Sequence, residues 1–395
     1  MLNAAEAVMD MHAKDDAERQ RNRAQLYDEP ASAGRAGDDL RVGQGVLMAT
    51  AGCGSHSAAI VDRSGATIAP AQTLTAVEWT RTLDDTSTAS VTISPDGDCC
   101  ERLGEVRAWR HRLVIWRDGE FVWDGPILRP EWTSDGLEIQ AADIAAILDR
   151  RVPHQSVDFG GDSDLADIAA WLIEDGYAPA DPGHEVQIVA PAGVRGARSY
   201  TRDVGQTGDH LRELAEAGID YTVVGHTIVL LPETHTVSLG QLTDMDLPAG
   251  LTVVEDGAAL ATRIIVAGDE EADVMGEVGD IDEYYGLLER YVQQNSIPDR
   301  PSAEAAARAL LRSSRSVPVW LDSAQVTLSP DAPVNVSRLV PGWCLDVTST
   351  ATCRVLSQRL KIVGVRVREA GGTAGQPGSE SVQVQLAATG AEAGS

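Results

Sequence analysis

The stretch Trp116-Arg117-Asp118-Gly119-Glu120-Phe121-Val122-Trp123-Asp124-Gly125-Pro126-Ile127 decides the class of fold. Two short runs of branched and aromatic residues, Leu113 to Trp116 and Phe121 to Trp123, flank Asp118-Gly119, a pair that takes the backbone conformation a tight antiparallel turn demands. Outward from this hairpin the same texture repeats. Ala59-Ile60-Val61 and Thr67-Ile68 flank the turn residues Asp62-Arg63-Ser64-Gly65, and Ala89 to Ile93 and Leu137 to Ala141 supply further strands. Ile144 to Leu148 reads as a short helix. Residues 46–155 therefore read as one domain with the pattern of an antiparallel sheet or barrel.

Beyond it the period changes. Between Val157 and Pro232 a helix is expected from Ser163 to Glu174, with Leu165, Ile168, Leu172 and Ile173 on one face and Gly176 ending it. A second helix, Thr207 to Ala217, turns Leu211, Leu214 and Ala215 inward and places Gly218 where a left-handed cap is favoured. A hairpin about Gly225-His226 follows, joining Tyr221–Val224 to Thr227–Leu231. Residues 156–245 thus read as an α+β module. Strands return over 246–395, at Arg263–Ala267, Val317–Leu321, Gln325–Leu328, Cys344–Thr348, Leu360–Val367 and Val382–Leu386. An alanine-rich helix with Ala306, Leu310 and Leu311 interrupts them at 302–312. Gly371 to Gly378 has the composition of a loop, and the residues after Ala388 that of a tail. At the other end, Asn3 to Leu26 reads as one charged helix, and Pro30 to Gly45 as a linker. By composition, residues 1–45 fit equally an arm that orders against a partner and a disordered tail.

Composition excludes several functions. A length of 395 residues implies more than one core. A formal net charge of -28 opposes a nucleic-acid grip, which needs clustered Lys and Arg. It is accounted for best by solubility alone, although an acidic wall would also suit a channel that DNA passes without sticking. Of the 32 basic residues only Lys14 and Lys361 are lysines, as a GC-rich coding sequence would give. Neither follows a glycine, which removes the P-loop class. Gly43-Gln44-Gly45 lacks the third glycine of a dinucleotide fingerprint, and Gly52-Cys53-Gly54-Ser55 is no nucleophile elbow. Five cysteines, Cys53, Cys99, Cys100, Cys344 and Cys353, show no metal spacing and are expected to be reduced. If Cys99 and Cys100 lie in a strand, they point to opposite sides.

His226 and His235 stand nine positions apart, without the spacing of a zinc site. The clusters Asp269-Glu270-Glu271 and Asp280, Asp282, Glu283 have the residue type of a glycoside-hydrolase pair, but chance proximity suffices among 60 acidic residues. Trp79, Trp109, Trp116, Trp123 and Trp132 fit a core or subunit interface better than a sugar platform. The opening residues are too polar for a secretion signal, and no apolar window of eighteen residues exists to span a membrane. No catalytic residue, cofactor site or metal site is expected.

Several of these stretches resemble, in order along most of the chain, the baseplate hub and minor tail proteins of long-tailed phages, particularly those of actinobacterial hosts. They are Trp79 to Ala89 (WTRTLDDTSTA), Trp116 to Ile127, Ile139 to Asp143 with Leu148 to Arg151, Tyr284 to Glu289 (YYGLLE), the helix near Ala303, and Leu339-Val340-Pro341-Gly342. The resemblance implies a mainly β, ring-forming subunit with two β-barrel-like domains and α+β insertions, assembled as a homotrimer at the tail tip of the virion. It implies no enzyme. Its partners would be the distal tail protein, tail tube, tape-measure protein and spike or fibre proteins, with DNA only in transit. The chain departs from the family at its arm, residues 1–45, and by ending soon after the last barrel strand without a lytic domain. The alternatives are a hexameric distal tail ring, or a tail protein that binds or hydrolyses cell-wall glycan through Trp116, Trp123 and a carboxylate pair.

Overall fold

The computed structural model describes residues 52–388, apart from 72–73, 95–99, 135, 248–252, 256, 259, 269–272, 315–318, 322–327, 330–331, 352, 354 and 371–378. The arm 1–45, the Asp269-Glu270-Glu271 cluster, Cys99, most of the Gln325–Leu328 strand, the Gly371–Gly378 loop and the tail after Ala388 lie outside the described residues. Within them the fold is mainly β with small helical insertions, the class expected.

Seven strands come from the first β region: β1 (His56–Val61), β2 (Thr67–Ala71), β3 (Leu74–Thr82), β4 (Thr88–Ile93), β5 (Arg112–Arg117), β6 (Glu120–Thr133) and β7 (Gly136–Ala142). The turn between β5 and β6 holds Asp118 at φ 52° and Gly119 at φ 79°, so both central residues are left-handed and the hairpin twists with its strands. β6 is the strand on which the fold turns. It pairs with β5 as far as Arg112 opposite Pro126 and with β7 from Ile127 opposite Ala141. A Cβ on Gly125 would stand 1.9 Å from the Ala142 carbonyl oxygen, so only glycine lets the two backbones approach at this corner.

The middle of the chain adds β8 (Val157–Phe159), β9 (Glu185–Ile188), β10 (Arg198–Tyr200), β11 (Ile219–Val224) and β12 (Thr227–Pro232). Then follow β13 (Ser238–Thr243), β14 (Val253–Glu255), β15 (Arg263–Ala267), β16 (Met275–Gly279), β17 (Glu289–Gln293), β18 (Val319–Leu321), β19 (Cys344–Ser349), β20 (Leu356–Ala370) and β21 (Ser379–Ala388). β20 pairs antiparallel with both β3 and β21, which joins the strands of 56–142 to those of 319–388 in one 13-stranded sheet. One core serves both ends of the chain, with Trp79, Ile115, Trp123, Ile127 and Ile139 packed among Leu345, Leu360, Ile362, Val367 and Val384.

A second core belongs to the α+β module. After α1 (Cys100–Leu103), where Cys100 opens a helix rather than lying in a strand, come α2 (Ala145–Leu148), α3 (Leu165–Tyr177) and α4 (Thr207–Glu216). These pack Leu165, Ile168, Leu172, Leu211 and Leu214 against Ile219, Tyr221 and Leu230. The Asp164 carboxylate caps α3 by accepting from the Ala166 amide at 2.9 Å. Gly176 does not end this helix. It lies in the last turn, where a Cβ would meet Leu148 at 3.0 Å and Thr207 at 3.1 Å, so the glycine serves close packing with α2 and the start of α4. Gly218 does take a positive φ, 123°, after the last residue of α4.

A third core lies under α5 (Arg300–Ser314), whose Ala303, Ala306, Ala307 and Leu310 face Ile264 and Val266. The small side chains bring helix and sheet close together, and a Cβ on Gly276 would stand 2.4 Å from the helix backbone. β15 is the central strand of this sheet, antiparallel to β16 and parallel to β17. The sequence pattern marks neither neighbour, because MGEVG and ERYVQ are mostly solvent-exposed.

Candidate interaction surfaces

Three buried cationic side chains join distant parts of the chain. Arg117, at the end of β5, donates from Nε (2.6 Å) and Nη2 (2.8 Å) to the Glu380 carboxylate on β21. The same carboxylate accepts from the amides of Gly52 at 2.8 Å and Gly54 at 2.9 Å, and both charged side chains are fully buried. Among the described residues Arg81 on β3 has no carboxylate partner. It donates to the carbonyls of Ser337 (2.9 Å), Leu339 (2.8 Å) and Val122 (2.7 Å), and its guanidinium stands 5.1 Å from the Trp79 ring. Burial pulls its pKa down to about 10. Lys361 on β20 donates to Asp220 on β11 at 2.6 Å and to the Glu233 carbonyl. Asp84 shares this junction by accepting from the Tyr221 amide at 2.8 Å. Burial, then the charge of Asp220, raise the Asp84 carboxyl well above its ordinary value.

Where the first β region meets the α+β module there is an open cleft of about 940 Å³. Arg63, Arg110, Arg112, Arg150 and Arg151 line it, with Trp109, His184 and His226, against Asp181 and Glu185. Arg112 is held by Asp124 at 3.0 Å, and Asp124 also meets His226 Nε2 at 3.0 Å. Arg151 donates to the Ala180 carbonyl at 3.3 Å. Trp109 forms part of the wall with φ 61°, a region that bulky residues rarely adopt, and the Arg150 guanidinium lies 5.3 Å from its ring.

The second surface is the β16–β17 connection. Ile281 is 69% exposed, Tyr284 87% and Leu287 47%, with Tyr291 60% exposed on the adjoining β17, an apolar concentration unusual on a solvated surface. Its tip is ordered by its own backbone. Asp282 and Gly286 exchange two amide–carbonyl bonds of 2.9 Å, and the Asp282 carboxylate accepts from the amides of Tyr284 (2.8 Å) and Tyr285 (3.0 Å).

The residues singled out from sequence fall as follows. Trp79 and Trp123 are core residues, Trp116 packs on the small cluster of Ala59, Val61 and Val114, and Trp132 is 48% exposed with its ring N–H on the Leu103 carbonyl. The five tryptophans do not share one face. His226 is buried against Asp124, whereas His235 packs edge-on to Trp343 at 5.2 Å. Asp280, Asp282 and Glu283 lie on the exposed loop. Cys344 is buried, which pushes its thiol up to about 11, and Cys53 and Cys353 are exposed. Among the described residues no three His, Cys, Asp or Glu side chains are grouped to hold a metal, and no helix is long and apolar enough to cross a membrane. The sequence reading missed the arginine cleft and the buried cations. Lys361, one of two lysines, was the single visible signal.

No protein-family model matches this chain, and no curated protein is similar to it in sequence. Among the solved structures similar in fold are three tail proteins. The 43 kDa tail protein of prophage MuSo2 from Shewanella oneidensis is 13% identical, with a TM-score of 0.57 over 85% of this chain and 99% of that one. The tail protein from Neisseria meningitidis MC58 is also 13% identical, with a TM-score of 0.56 over 85% and 97%. The prophage tail protein gp18 from Listeria monocytogenes EGD-e is 9% identical, with a TM-score of 0.53 over 83% and 94%. At such identities the likeness is one of architecture: over four fifths of its length this chain is similar in fold to these three tail proteins.

Proposed function

We propose that the protein is a non-enzymatic structural subunit of a phage tail tip, of the kind found in actinobacterial phages. Three copies form a hub ring that closes the tail tube and anchors distal spike or fibre proteins. Its lumen passes the tape-measure protein and then DNA. In this reading 46–155 and 246–395 are the barrel-like halves that face the tube, 156–245 is the intervening module, and the arm 1–45 engages a neighbouring subunit. The carrying observation is the fold shared with three tail proteins along nearly their whole lengths. The buried Arg117–Glu380, Arg81 and Lys361–Asp220 links suit such a role, because they fix the chain's parts to one another as a platform under load requires. The acidic exterior suits a channel that must not retain DNA.

The mass in solution tests the proposal. Light scattering of the full chain is expected to give about three times the monomer mass of 41.9 kDa. A hexamer would move the assignment to the distal tail ring. A monomer at every concentration would count against both rings and make glycan binding the next assay.

A further inference from the structure

The arginine cleft and the Tyr284 loop are complementary in charge and in apolar character, and they share no residue. In a chain of net charge -28, five arginines converge on one cleft. Arg112 and Arg151 have the partners given above. Among the described residues Arg63, Arg110 and Arg150 make no ion pair. Trp109, held at a positive φ between them, is a strained aromatic residue of the kind that persists where a surface is used. The β16–β17 loop carries Asp280, Asp282 and Glu283 beside the exposed Ile281 and Tyr284. The Tyr284 and Tyr285 rings stand edge to face at 4.8 Å, and the bonds through Asp282 hold the tip ready, so little ordering cost remains on docking.

We propose that the Asp280–Leu288 loop of one copy docks into the Arg63–Arg110–Arg150 cleft of the next, the acidic groups against the arginines and the tyrosines against Trp109. The occupant is a second copy of this chain, chosen by charge. With a net charge of -28, a like molecule repels the acidic loop on average and attracts it at a cleft where arginines outnumber carboxylates. Because loop and cleft are different patches, the contact is head-to-tail, the type that closes into a ring when the rotation fits. The inference thus deepens the hub reading and rests on it for ring size alone.

Reversal of charge on each side tests it. All four positions are exposed: Arg110→Glu with Arg150→Glu in the cleft, and Asp280→Arg with Glu283→Arg on the loop. Each pair alone is expected to convert a wild-type trimer to monomer in light scattering, with an unchanged circular dichroism spectrum. All four in one chain restore the trimer, since every interface then meets its reversed complement. Trimers that survive both single-sided reversals overturn the inference and leave the hub reading intact. If the wild-type protein is monomeric throughout, the ring reading fails, and a synthetic peptide of residues 279–292 titrated onto the full chain decides the docking. Binding weakened tenfold or more by Arg110→Glu/Arg150→Glu upholds the contact. Equal binding to both proteins, or to neither, overturns it.

Discussion

Substitution of Glu380 by alanine removes the partner of a fully buried cation. The Arg117 guanidinium loses its Nε and Nη2 bonds to Glu380, while Nη1 keeps its contact with the partly exposed Asp118 at 3.1 Å. Breaking a buried pair from one side costs about 3–5 kcal/mol. The amides of Gly52 and Gly54 also lose their acceptor, and each such loss adds about 1 kcal/mol where water does not replace it. The expected destabilisation is about 5–7 kcal/mol where the two amides stay dry and about 3–5 kcal/mol where water reaches both, read from urea unfolding followed by tryptophan fluorescence at fixed protein concentration. Arg117→Met/Glu380→Leu removes both charges and is expected to cost less than Glu380→Ala alone, leaving a coupling energy above about 2 kcal/mol. The pH dependence has a definite sign. Burial raises the Glu380 carboxyl, but the Arg117 bonds, the Gly54 amide and the Arg117 charge outweigh it and hold the group below its ordinary value of 4.5. A depressed carboxylate stabilises the fold above its unfolded pKa and ceases to do so as the pH falls through the folded one, so the gap between wild type and Glu380→Ala narrows in acid. A cost under about 1 kcal/mol, with an unchanged denaturant slope, would refute the reasoning, because it is the value of an exposed pair.

Two further perturbations probe the corner around β6 and β7. Burial pushes the Asp143 carboxyl up to about 7, against the lowering effect of the Ser87 and Ala145 amides that it accepts at 2.7 Å and 2.9 Å. A raised carboxyl contributes stability below its unfolded pKa that is lost as the pH climbs through the folded one. Wild type is therefore expected to lose a few kcal/mol between about pH 4 and 7, and Asp143→Asn to flatten that slope in thermal melts taken across the range. Gly125→Ala drives a methyl group into the Ala142 carbonyl and is expected to cost about 3 kcal/mol. Gly119→Ala has open space around it and only a left-handed φ of 79° to strain, so about 1–2 kcal/mol should suffice. Urea midpoints that rank the two glycines the other way would count against the corner as the tight point of the fold.

The elements legible in the sequence are those whose cause is local. Asp118-Gly119, Asp62 to Gly65 and Gly225-His226 each fix a turn by their own backbone preferences, and the hairpins stand where those residues put them. Gly176 misled because the sequence shows a flexible residue near a helix end but not the neighbour that needs the space. The pairing of β3 with β20 was invisible for another reason: register across some 280 residues is set by the summed fit of a shared core, which no short stretch carries. Likewise Arg117 and Glu380 read as two more charges among many until folding removes both from water.

The buried cations also bear on how such a chain meets others. Arg81, Arg117, Arg198 and Lys361 are withdrawn into the interior together with Asp124, Asp143, Asp175, Asp220, Asp246 and Glu380, so the surface keeps the acidic balance of the composition. Copies of the molecule consequently repel one another in most orientations, which disfavours non-specific association. Against that background, unpaired arginines gathered in one cleft act less as a source of affinity than as a selector of orientation: the approach that brings an acidic loop to the cleft is favoured and others are penalised. An aromatic tip exposed on an otherwise charged surface then has one place where its burial carries no electrostatic cost. Attraction at a single patch within general repulsion is enough to specify a head-to-tail contact, the type that closes into a ring where the rotation fits.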